Sequence, residues 1–159
     1  MTIIPMETNH VVDAARFWIW VDKGHGCWEW QGPKGTGGYG RWNVGGEHFH
    51  AHRAAWSIAN DAAIPADLVI DHICHNTICV RPDHLQAVTH KENIENYLPV
   101  RSSSGFRGVH KSGKRWGVYV RHNRKLHYGG RFDTPEEANE AAIALRAKLF
   151  TNSLTDRAT

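Results

Sequence analysis

The sequence predicts an α+β protein of two small domains, and three observations predict it. Short strand-like runs such as LVIDH and RWGVYVRH are separated by Gly-rich turns and interleaved with helix-like segments. Midway, Leu98-Pro99-Val100-Arg101-Ser102-Ser103-Ser104 has the composition of a linker. The charge changes sign across that stretch: residues 1–100 hold seven Lys and Arg against eleven Asp and Glu, and residues 101–150 hold eleven against four. At 159 residues two such domains fit, placed at 1–98 and 105–152 with a linker at 99–104.

Taken in order, VVDAARFWIWVD begins a short helix at Asp13, with Phe17, Trp18, Ile19 and Val21 expected to pack beneath the cysteine-rich segment that follows. CWEWQG and GGYGRWNVGGEHFHAHR read as strands, with Gly45-Gly46 as a hairpin turn. In HRAAWSIAND, Ala54, Ala55, Trp56 and Ile58 recur at helical spacing, and Asn60-Asp61 with Pro65 ends the helix. LVIDHIC is a β-branched strand that carries Asp71 and His72 at its end. Thr89-His90-Lys91-Glu92 has capping-box form, so a helix starting there holds Asn93 in its first turns.

Two groups of chemistry-bearing residues lie in Asp71 to Asn93. Cys74-x4-Cys79-x4-His84 offers three soft or borderline ligands, and Cys27 is the one remaining cysteine. Three thiolates and an imidazole close a tetrahedral zinc site with no open position, so Zn²⁺ there would be structural. A buried apolar cysteine is the alternative role for Cys27. An odd cysteine count argues against a disulfide framework and for thiolate ligands in a reducing, cytoplasmic setting. The second group is Asp71, His72 and Asn93: a side chain that titrates near neutrality beside hard oxygen donors suited to Mg²⁺. A base and a divalent ion are the minimum for phosphodiester hydrolysis.

At Asp71-His72-x-Cys74, Cys79-x-x-Pro82-x-His84-Leu85 and Asn93, with Cys27-Trp28-Glu29-Trp30 and His52-Arg53 upstream, the chain resembles the HNH (His-Me finger, ββα-metal) endonucleases. The likeness is to their zinc-stapled homing and phage-type members and covers roughly residues 14–97. It implies a strand ending at the histidine, a returning strand, and a helix bearing the asparagine. It also implies His72 as general base, Asn93 as ligand of Mg²⁺ or Mn²⁺ with Asp71 as a second ligand, and Arg53 near the scissile phosphate.

After the linker, GFRGVHK, RWGVYVRH and KLHYGGRF read as three antiparallel strands joined by short turns. Thr134-Pro135-Glu136-Glu137 then opens a helix with an N-cap, a proline at its first position and acids in its first turn. Residues 101–132 hold nine cations and no acid, which suits a polyanion. Through GFRGV, RWGVYV, YGGRF and TPEEANEAA this half is similar to the AP2 (ERF-type) DNA-binding domains. The likeness implies a sheet face in the major groove, with Arg107, Lys111, Arg115, Arg121, Arg124 and Lys125 as DNA contacts.

The reading is a metal-dependent DNA endonuclease acting on double-stranded DNA, as a monomer that nicks or a homodimer that cuts both strands, with no small-molecule cofactor. No apolar run is long enough to span a membrane, and the N-terminus has no secretory pattern. The alternatives are a zinc-containing DNA-binding regulator without cleavage and, more remotely, a protein acting on RNA. The sheet is expected to lack the aromatic positions of single-strand readers.

Overall fold

In a computed structural model of the chain, residues 3–5, 11–96 and 102–152 are described. The chain divides into two compact units, residues 1–90 and 91–159. Of the expected linker, 99–101 lie outside the described residues. Ser102 and Ser104 share a hydroxyl hydrogen bond of 2.7 Å, and Ser104 Oγ donates to the Val109 carbonyl at 2.8 Å.

The first unit is built of two-stranded ribbons. β1 (Ile3–Pro5) pairs with β2 (Val11–Asp13), and a short α1 (Ala14–Trp18) follows. β3 (Val21–Lys23) pairs with β4 (Trp28–Trp30), and β5 (Arg41–Val44) with β6 (Glu47–His50). The β5–β6 turn is Gly45-Gly46, both at positive φ (60° and 85°), the conformation that matches strand twist in a two-residue hairpin. α2 (Ala51–Asn60) leads to β7 (Leu68–His72), which pairs antiparallel with β8 (Leu85–Thr89).

Aromatic rings fill this unit's core. Phe17 stacks on Trp30 at 5.2 Å between centroids, and Trp42 meets both edge-on at 5.6 and 5.7 Å. Ala51, Ala54 and Ala55 of α2 are fully buried in the same cluster, their small side chains leaving room for the indoles. Gly40 is required by that packing: a Cβ there would lie 2.6 Å from Trp30 Cδ1 and 2.9 Å from Ala51 Cβ. Phe17, Trp18 and Val21 join the core as expected, but Ile19 is 78% exposed. The helix ends at Trp18, and a turn closed by Trp20 N–H to the Phe17 carbonyl swings Ile19 outward.

In the second unit, β9 (Val109–Ser112), β10 (Arg115–His122) and β11 (Lys125–Phe132) form an antiparallel sheet in the order β11-β10-β9. Helix α4 (Pro135–Leu149) covers one face, burying Val109 and Val118 against Ala138 and Ala142, with Trp116, Phe132 and Leu145 around them. Thr134 is the expected N-cap, and the contact is reciprocal, a full capping box: Thr134 Oγ1 accepts from Glu137 N, and the Glu137 carboxylate accepts from Thr134 N. Helix α3 (His90–Asn96) follows β8 without a loop, and from Lys91 onward it belongs to this unit. Arg107 donates to the Ile94 and Glu95 carbonyls at its end, and Glu95 Oε2 accepts from Thr151 N at 2.7 Å. The whole is mixed α+β with small antiparallel sheets, as the sequence predicts.

Candidate active site and metal centre

Cys27, Cys74, Cys79 and His84 converge, their ligand atoms all within 4.8 Å of one another. His84 Nδ1 lies 3.7 Å from Cys27 Sγ and 3.6 Å from Cys79 Sγ. A tetrahedral zinc with ordinary Zn–S and Zn–N bonds separates sulfur from nitrogen by about 3.6 Å, so this Cys3His set fits zinc. The local fold explains the convergence. β4 joins the Cys79 segment through Trp30 N–H to the Ile78 carbonyl (2.9 Å) and Val80 N–H to the Trp28 carbonyl (2.8 Å), which carries Cys27 alongside. Arg81 clamps the same loop by donating to the His25 and Gly26 carbonyls. Burial, with Cys74 close by, pushes the Cys79 thiol up to about 12, and burial also raises Cys74. Such thiols ionise when a metal replaces their protons.

Asp71 and His72 lie at the end of β7, next to this loop. The His72 ring is buried, 6% exposed, and its Nε2 lies 3.0 Å from the Cys79 carbonyl oxygen. A carbonyl only accepts, so Nε2 carries the hydrogen and Nδ1 is the lone-pair nitrogen of the neutral ring. Burial pulls the His72 pKa below the ordinary imidazole value, opposed by the Cys79 bond and the Asp71 charge. Asp71 is paired in register with Gln86 and accepts its side-chain N–H at 2.9 Å. His52, at the start of α2, packs its ring 4.6 Å from that of His72, with Tyr39 5.3 Å from His52 and 6.0 Å from His72. Burial above all, then His72, His50 and Arg53, pull the His52 pKa to about 2. Arg53 follows on α2, half-buried, and Asn93 is half-buried on α3 in the second unit.

The six cations expected as DNA contacts do not share one surface. Strand pairing sets Lys111 opposite Trp116, on the α4 side, where its Nζ lies 4.3 Å over the indole. Arg107 precedes β9 and is bonded to the end of α3. Arg115 and Arg121 alternate with the core residues of β10 and point away from α4, Arg115 pairing with Asp133 at 2.8 Å. Arg124, at φ 64° in the β10–β11 turn, and Lys125, opposite His122, are exposed at the hairpin end.

Sequence reasoning missed the groups that hold the site rather than form it. Gln86 could have been found from its place opposite Asp71 only with the hairpin register in hand. Tyr39 meets His72 through tertiary packing, and nothing in its spacing announces it; His52 was singled out with Arg53, but its contact with the His72 ring is likewise tertiary. The sheet, expected to lack aromatic stacking positions, instead carries Tyr119 and Tyr128, with Arg131, on the face of Arg115 and Arg121, because a β-bulge between Val118 and Tyr119 sets Tyr119 opposite Tyr128.

Residues 49–94, which span α2, the β7–β8 hairpin and most of α3, match the HNH endonuclease family. The chain is also similar to three phage proteins. It is 35% identical to protein 2.8 of Escherichia phage T7 over 85 residues, which is 52% of this chain and 57% of that protein. It is 36% identical to protein 7.7 of the same phage over 72 residues, 45% of the chain and 55% of that protein. To the gene 5.3 protein of Enterobacteria phage T3 it is 35% identical over 63 residues, 36% of the chain and 61% of that protein. The chain thus spans a little over half the length of these relatives. No solved structure matches it significantly. No helix among the described residues is long and apolar enough to cross a membrane. A Cys3His cluster beside a buried histidine of defined tautomer thus lies in and around residues 49–94, the stretch that matches the HNH endonuclease family, in a chain similar to phage proteins.

Proposed function

We propose that the protein is a metal-dependent DNA endonuclease of the homing or phage HNH type, cutting duplex DNA one strand per chain. The observation that carries this is the His72 tautomer. The Cys79 carbonyl holds Nε2–H, and burial keeps the ring neutral, so Nδ1 is ready to take a proton from water. His72 then returns that proton to solvent after attack on the phosphorus. Asp71 and Asn93 are the hard oxygen donors that the resemblance would assign to Mg²⁺ or Mn²⁺, an ion that would stabilise the phosphorane charge and the leaving 3′ oxygen. Arg53 offsets negative charge at the scissile phosphate. The Cys3His cluster would hold structural zinc, which would keep the Cys79 carbonyl in place. Residues 105–152, AP2-like in their three strands and one helix, hold the DNA through an unbalanced positive charge.

The test is nicking of supercoiled plasmid with Mg²⁺ and with EDTA, beside His72→Ala. The wild type should nick only with Mg²⁺, and His72→Ala should lose about 10²–10⁴ in rate while keeping its zinc. DNA binding without cleavage of plasmid or of the gene's own flanking DNA would instead favour a non-cleaving regulator.

A further inference from the structure

The outward face of the β9–β10–β11 sheet, opposite α4, has a composition that groove docking does not need. The pairing register puts His110 of β9, Tyr119 of β10 and Tyr128 of β11 on this face, in a row across the three strands. Their rings are neighbours: 6.3 Å from His110 to Tyr119 and 5.3 Å from Tyr119 to Tyr128. Tyr128 is 60% exposed, a large cost in apolar surface for a ring that supports no core. The two tyrosines come side by side because the bulge after Val118 shifts the register to set Tyr119 opposite Tyr128.

Cations border the aromatic row along the strands. Arg115 and Arg131 lie on one side, where Arg131 donates to Ser112 Oγ at 2.9 Å and Arg115 pairs with the exposed Asp133. Arg121 lies on the other side. Gly117, between Arg115 and Tyr119, keeps the face low, since a Cβ there would come 3.0 Å from the Tyr119 ring. Flat rings in a row with guanidinium groups on both sides match a chain of alternating base and phosphate. In a duplex the base faces are already stacked on one another and are closed to tyrosine, whereas an unpaired strand exposes them.

We propose that this face binds an unpaired stretch of DNA, its bases stacking on Tyr119 and Tyr128 and its phosphates pairing with Arg115, Arg121 and Arg131. The substrate of the proposed endonuclease is then duplex DNA that carries a single-stranded segment. This rests on the second unit being the DNA-holding part of the protein, and it does not depend on the chemistry at His72.

The experiment uses full-length His72→Ala protein, which is expected to keep its zinc and not to cut. Its affinity is measured by fluorescence anisotropy for a labelled 20-nucleotide strand and for the blunt duplex of the same sequence, at one salt concentration. The expected result is at least tenfold tighter binding of the single strand. Adding Tyr128→Ala or Tyr119→Ala should weaken single-strand binding about 5- to 100-fold and carry the single-strand to duplex ratio toward one. Tyr128→Phe, which keeps the ring, should restore that ratio and so exclude a folding defect as the cause. Equal or tighter binding of the duplex overturns the proposal and returns the face to groove docking. Single-strand binding that is indifferent to both tyrosines overturns it as well. Plasmid nicking by the wild type is scored separately, so loss of this inference leaves the nuclease reading standing, and loss of nicking leaves this inference standing.

Discussion

His72 donates from Nε2 to the backbone carbonyl of Cys79 across 3.0 Å, so the proposed base hangs from a residue whose own thiol belongs to the Cys3His cluster. Anything that loosens the cluster therefore loosens the base. Cys27→Ser leaves every atom of the His72–Cys79 contact in place but removes one of the four ligands. We expect zinc content below one per chain and a nicking rate lower by about 10- to 100-fold, the usual consequence of disturbing groups that orient a reactive site. Metal analysis and nicking on the same preparations check this. Zinc-free protein with full activity would break the link.

His52 gives the first unit a defined response to acid. Its pKa is drawn to about 2 in the folded chain, from an ordinary value of 6.5, chiefly by burial. Between those values the unfolded chain binds a proton at this position and the folded chain does not, so stability falls as pH drops below 6.5. One proton corresponds to a slope of at most about 1.4 kcal/mol per pH unit. His52→Phe, which keeps a ring against His72 and removes the titration, should show a shallower decline between pH 6.5 and 4.5 in urea unfolding. Parallel pH profiles for the two proteins would count against the assignment.

Gly40 and Trp30 form a contact that a single methyl group tests. Gly40→Ala places a Cβ 2.6 Å from the indole, against a ring that is 1% exposed and stacked on Phe17. We expect a loss of about 1–3 kcal/mol from overpacking, and about 3–5 kcal/mol for Trp30→Ala. Gly26→Ala, where an added Cβ meets nothing within 4 Å, is the control and should change stability by less than about 0.5 kcal/mol. Denaturant unfolding monitored by tryptophan fluorescence reads all three. Equal effects at Gly26 and Gly40 would show that helix and strand propensity, not packing, sets the cost.

Much of the site was legible because its parts are local in sequence. Cys74, Cys79 and His84 fall within eleven positions, and a ligand set closed by so short a loop has little freedom to be anything but a cluster. The Gly45-Gly46 turn and the N-cap at Thr134 were legible for the same reason: each rests on contacts a few residues apart. HNH-type residues could be named at Asp71 and His72 because their spacing to the cysteines is itself a pattern.

What the chain alone determined, then, is the order of strands and helices from β4 onward, the Cys3His set and the basic second half, whereas β1, β2 and β3 were not foreseen. Only the tertiary structure decided which nitrogen of His72 carries the proton, because that depends on where the Cys79 carbonyl falls in space. It also decided which side chains share the outer face of the sheet. Alternation along β10 separates Trp116, Val118 and Val120 from Arg115, Tyr119 and Arg121, but it does not say which residues of the neighbouring strands join each face. Val109 packs against Val118 beneath α4 and takes Lys111 to that side, and a bulge after Val118 then sets Tyr119 beside Tyr128 on the other. Burial of one face rests on the helix that packs on it, through contacts between residues tens of positions apart.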